Sequence, residues 1–214
     1  GSIILRKITL NYFVKTPKLL HSLYRDAVWF LPNPNRSIYL TFDDGPIDTI
    51  TPQCLDILAK HNVKATFFCV GENVVKHPEI FSRLLKEGHQ VGHHSNNHLN
   101  GWKTNNEKYF ANVHACADLV NSKLFRPPYG KIKRSQLREL KKHYKIIMWD
   151  VLSADFDPKV TSEESINNVV NNVSSGSIIV MHDNIKCGHK MLEGLPIIIE
   201  KLKEKGFSFE ALPS

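Results

Sequence analysis

The chain has 214 residues, 42% hydrophobic and 23% charged, which suits one domain with a full core and excludes a disordered or fibrous protein. Its 28 Lys and Arg against 21 Asp and Glu give a formal net charge of +7, a mild bias toward anionic surroundings. Cys54, Cys69, Cys116 and Cys187 form no CxxC pair, which excludes a zinc ribbon or dithiol redox motif and leaves buried or free thiols as the expectation.

Taken in chain order, residues 1–36 read as an N-terminal extension with one helix near 17–26 and a connector rich in Pro and Asn, LPNPNR. The extension has no long apolar run and no stretch of membrane length, so neither a secretory leader nor a membrane span is expected. That suits a cytoplasmic protein, or a secreted or periplasmic one if a leader has been removed. From residue 37 the pattern alternates. Strand-like runs occur at SIYLTF, KATFFCV, HQVGHH, LFRPP, YKIIMW, SIIVMH and FSFEAL. Between them lie helical patterns near 50–60, 73–87, 105–122, 133–142, 162–174 and 190–204. Such alternation predicts a parallel sheet with crossover helices, and closure into an irregular or incomplete (β/α) barrel removes exposed sheet edges. The basic residues Lys131, Lys133, Arg134, Arg138, Lys141 and Lys142 read as the solvated face of one helix. No aromatic interleaving accompanies them, so no nucleic-acid partner is expected.

The residues able to do chemistry fall at strand C-terminal ends. Asp43 and Asp44 follow the first predicted strand, His94 and His98 the third, Arg126 ends the fourth, Asp150 and Asp155 follow the fifth, and His182 and Asp183 close the sixth. In a barrel those ends form one rim, where residues distant in sequence converge on a single mouth. Two adjacent carboxylates need a neighbouring positive charge or a shared proton. His94 and His98, with three residues between them, can reach one ion, and an aspartate from across the mouth completes a three-ligand set with an open position for water. Zinc or another divalent first-row ion fits such a set. With Asp44 as the ligand, Asp43 stays ionised beside the ion and acts on water. Arg126 can then pair with Asp43, while Pro127 and Pro128 stiffen a loop that points the backbone N–H of Tyr129 or Gly130 inward. Asp155, with Asp150 as the alternative, is placed to hold the His182 ring.

Five motifs in order, TFDDG, HSNNH, RPPYG, DVLSADF and VMH, make the chain resemble the polysaccharide deacetylases, the NodB-homology or fourth carbohydrate esterase family. The resemblance runs from about Ser37 to Leu212. It implies a catalytic domain over 37–214 with the extension 1–36 packed on it, and a deformed (β/α)7–8 barrel. It further implies one divalent metal, zinc first with cobalt, nickel or another first-row ion as alternatives, held by Asp44, His94 and His98. Asp43 is then the general base, His182 the general acid, Arg126 the residue that orients Asp43, Asp155 the support of His182, and the Tyr129 N–H part of the oxyanion site. The implied reaction removes acetyl groups from a glycan containing N-acetylhexosamine. Phe156, Val180 and Leu152 depart from the family's usual Trp, Leu and Asp, which alters the expected acetyl pocket. An O-acetyl esterase, an amidohydrolase acting on a small cyclic amide and a non-catalytic glycan-binding barrel are the alternatives; a glycosidase would leave Asp44 and both histidines without a role. Trp102 is a candidate sugar-stacking residue or a packed one, and Trp149 reads as core. The oligomeric state is left open.

Overall fold

The computed structural model describes residues 12–214. The elements run α1 (Lys18–Leu23), β1 (Ala27–Val28), β2 (Ser37–Asp43), α2 (Thr51–Lys60), β3 (Thr66–Cys69), α3 (Gly71–Lys76), α4 (Pro78–Lys86) and β4 (Gln90–His93). They continue α5 (Asn106–Val120), β5 (Leu124–Phe125), α6 (Arg134–Leu140), β6 (Lys145–Ile147), β7 (Val151–Leu152), α7 (Ser162–Val170), β8 (Ile178–His182), α8 (Gly188–Glu204) and β9 (Ser208–Phe209). Short 3-10 turns cover Gly101–Lys103 and Pro128–Gly130.

The strands form a parallel sheet in the order β1-β6-β5-β4-β3-β2-β8-β7, with β9 paired to the start of β2. The circuit is completed by one continuous segment. Residues 145–147 pair with β1 and β5 at one end of the sheet, and residues 151–152 pair with β8 at the other. The result is the deformed barrel expected from the alternation. Residues 14–16 run antiparallel along this closing segment, where Leu152 N–H donates to Val14 O at 2.8 Å and Thr16 N–H to Asp150 O at 2.9 Å. Residues 1–11 of the expected extension lie outside the described residues.

Period-two alternation decides which side chains reach the site. On β2, Ile38, Leu40 and Phe42 pack outward against Cys54, Leu55 and Leu58 of α2 and Leu195, Ile198 and Ile199 of α8. Each large apolar side chain so buried contributes about 1.5–3 kcal/mol. The opposite parity places Tyr39, Thr41 and Asp43 inside the barrel, and on β8 it places Ile178, Val180 and His182 there. The helical pattern at 73–87 is two helices. Pro78 cannot donate within a helix and starts α4 at its first turn, so His77 becomes a junction. β1 and β7, two residues each, were not among the expected strands. All four cysteines are buried free thiols.

Candidate active site

The strand ends deliver Asp43, Asp44, His94, His98, Tyr129 and His182 to one cleft of about 570 Å³, and Arg126 and Asp155 lie buried behind it. Asp43 ends β2 on the interior parity. Asp44 leaves the strand at a φ of 90°, which turns its carboxylate toward the histidines. His98 and Tyr129 also hold positive φ values, 60° and 61°. Non-glycine residues in this region each cost on the order of 1–3 kcal/mol, and three such residues at one mouth mark it as a place the fold holds against local preference.

Asp44 Oδ1 lies 3.1 Å from His98 Nε2 and 3.5 Å from His94 Nε2. The three donor atoms fall within 4.8 Å of one another, and Asp44 Oδ1 is buried without a hydrogen-bond partner. An orphaned carboxylate oxygen facing two imidazole nitrogens is the donor set a divalent ion needs. The other ring nitrogens are occupied. His94 Nδ1 lies 2.7 Å from the Arg126 carbonyl and His98 Nδ1 lies 3.1 Å from the Tyr129 hydroxyl, partners for N–H donors that leave the Nε2 lone pairs facing Asp44. Burial pulls the His94 pKa down to about 4 against the opposing pull of Asp43, so the ring is neutral near pH 7. Burial alone would raise the Asp44 pKa, but the His98 contact and the surrounding imidazoles hold it well below the carboxylate range.

Arg126 is fully buried. Its Nη1 donates to Asp43 Oδ1 at 2.7 Å and to Thr41 Oγ1 at 2.6 Å, Nη2 to Met148 O at 3.0 Å and Nε to Ile147 O at 3.3 Å. The guanidinium lies 4.1 Å over the Phe68 ring. Asp43 Oδ2 remains, 3.8 Å from His94 Nε2.

Asp155 grips His182 twice, accepting from Nδ1 at 2.7 Å and from the backbone N–H at 2.8 Å. Burial opposes charge on this ring, but Asp155 chiefly, with Asp44 and Asp43, pushes its pKa up to about 10. Asp150, the alternative partner, is elsewhere: it accepts from Lys15 Nζ and Ser177 Oγ, each at 2.5 Å.

Leu152, Phe156 and Val180 all line the cleft, and Phe156 packs edge-on against the His182 ring at 5.4 Å. Tyr12 meets Phe156 at 5.1 Å, so the N-terminal segment helps to wall the mouth. Trp149, expected in the core, is half-buried in that wall, packed so closely on Gly130 that a Cβ there would sit 2.5 Å from its ring. Trp102 stands 55% exposed beside Lys131, and its Nε1 donates to Ile132 O at 3.2 Å. Asn184, Asn73 and Thr41 contact the central carboxylates or their partners and were not singled out by sequence. Thr41 stands in the TFDDG motif with no role assigned, and no local pattern marks Asn73 or Asn184, because their contacts with Asp44 span 29 and 140 residues of chain.

The profile of the polysaccharide deacetylase family matches residues 31–145. A peptidoglycan-N-acetylglucosamine deacetylase of Bacillus cereus is 38% identical over 192 residues, covering 86% of this chain and 69% of that protein. Another protein of that description from B. cereus is 34% identical, with 86% of this chain and 89% of the relative covered. The crystal structure of the Bc1960 peptidoglycan N-acetylglucosamine deacetylase superposes with a TM-score of 0.85 at 36% identity, covering 92% of this chain and 95% of that one.

Proposed function

The chain belongs to the polysaccharide deacetylase family and is a carbohydrate deacetylase, and from that premise we propose how its residues share the removal of an acetyl group from an N-acetylhexosamine-containing glycan. Asp44, His94 and His98 would hold one divalent ion, with zinc favoured by a donor set of two imidazoles and one carboxylate. When bound, that ion supplies Lewis acidity, lowering the pKa of water and polarising the substrate carbonyl.

Asp43, fixed through Oδ1 by Arg126, takes the proton of the attacking water on Oδ2. The Tyr129 backbone N–H meets the charge that develops on the carbonyl oxygen. Asp155 commits His182 Nδ1 as a donor, so Nε2 carries the proton passed to the departing nitrogen, and acetate and a free amine result. What carries this reading is the presence, in one cleft, of an arginine-fixed carboxylate and an aspartate-fixed imidazole beside the partnerless Asp44 oxygen. A merely glycan-binding barrel needs neither fixed group.

The proposed substrate is peptidoglycan. The relatives above carry that substrate in their names, and Lys131 and Lys186 line the cleft, where they suit a glycan bearing carboxylates. The test is acetate release from peptidoglycan, N-acetylated chitooligosaccharides and acetylxylan, before and after chelation and after refilling with zinc, cobalt or nickel. Peptidoglycan should be hydrolysed fastest, and zinc should restore the chelated enzyme. Turnover of acetylxylan alone would move the enzyme to the O-acetyl esterases, and full activity after chelation would remove the metal from the mechanism.

A further inference from the structure

We propose that Asn184 is a positioning residue that gives the two oxygens of Asp44 different tasks, tying Oδ2 to a neutral donor so that Oδ1 alone faces the cation site. This rests on the metal centre proposed above. Asn184 Nδ2 donates to Asp44 Oδ2 at 2.6 Å, while Oδ1 of the same carboxylate points at both histidine Nε2 atoms.

The amide cannot turn over without loss. Asn184 Oδ1 accepts from the Cys187 backbone N–H and from its Sγ, each at 3.0 Å, so Nδ2 is the end that faces Asp44. The Asn184 carbonyl also accepts the Gly188 N–H at 2.8 Å, which ties the residue to the first turn of α8. That helix buries Met191, Leu195, Ile198, Ile199 and Leu202, so the carboxylate's rotation is referred to a rigid element. On the main-chain side, Asn73 Nδ2 holds the Asp44 carbonyl at 2.7 Å from α3. Two asparagines from opposite parts of the sequence thus fix one aspartate whose backbone sits at a φ of 90°. A neutral amide suits this place, since a lysine or arginine would spend the carboxylate's charge on itself rather than on a metal ion.

The experiment compares wild type with Asn184→Leu, Asn184→Ala and Cys187→Ala. Zinc affinity is read by competition with a chromophoric chelator, the visible spectrum after cobalt loading reports coordination, and metal-free melting curves report folding. The Asn184 variants should bind zinc about 10- to 100-fold more weakly. Their cobalt absorption should lose intensity as the released Oδ2 joins Oδ1 in facing the ion. Cys187→Ala should match wild type, because the backbone N–H still orients the amide. In zinc-loaded wild type, the Asn184 side-chain amide protons should exchange slowly by NMR, a reading independent of whether any variant folds. A folded Asn184 variant with wild-type affinity and spectrum overturns the assignment, and so does a fast-exchanging Asn184 amide. Wild-type protein that takes up neither ion overturns the metal centre, and this assignment with it.

Discussion

Arg126 serves two site groups through two different parts of itself. Its guanidinium fixes Asp43 and its carbonyl fixes the His94 ring, so one residue at the end of β5 sets both a carboxylate and an imidazole. The buried pair makes Asp43→Asn informative in two ways. Turnover should fall about 10²- to 10⁴-fold in an acetate-release assay while metal analysis shows the ion retained. Stability should drop by about 3–5 kcal/mol in urea titration, because the arginine is left buried without its counter-charge. Asp155→Asn probes the other dyad. The Asp155 charge is the main influence raising the His182 pKa against burial, so removing it lowers that pKa. The ring then loses its proton at lower pH, and the alkaline limb of the kcat/KM profile should shift downward rather than upward.

At the scale of elements, the site depends on strand parity and on what lies beneath each side chain. Gly92 in β4 shows this, since a Cβ there would come within 2.5 Å of the Phe68 ring and 3.0 Å of the Leu124 carbonyl. Phe68 is the platform under the Arg126 guanidinium. Gly92→Ala should therefore cost about 1–3 kcal/mol by overpacking, read as a lower melting temperature, and should lower kcat by unseating Arg126. The strands β2, β3, β4 and β8 were legible because each runs for four or more residues, and β2, β4 and β8 lead straight into the family motifs. β1 and β7 were not, since two residues carry no period. The split at Pro78 was written in the sequence, but the apolar spacing of residues 73–87 continues across it and hid the junction. At the cleft, charged residues in strand-end motifs stood out, whereas Asn184 and Asn73 owe their contacts with Asp44 to packing between elements distant in sequence, which no local pattern encodes.

Acid sensitivity belongs to the molecule as a whole. Burial, helped by Lys64, pulls the His89 pKa from its ordinary 6.5 to about 4, and the neutral ring accepts the Ala65 N–H at 3.2 Å through Nδ1. As pH falls from 6.5 toward 4 the unfolded chain binds this proton and the fold does not, so stability declines across that window. His89→Asn keeps an acceptor in the Nδ1 position without titrating. Urea midpoints measured at the two ends of the window should then differ less than in wild type. The pairing of β2 with β8 adds a consequence for how the protein is made. Thr41 bonds to Ile179, 138 residues later, and Thr16 bonds to Trp149, 133 residues later. A ribosome therefore delivers β2, with Ile38, Leu40 and Phe42 along one face, long before β8 emerges to cover its second edge. The proposed proton acceptor and proton donor meet only on those neighbouring strands, so a prematurely terminated product is left without hydrolytic power.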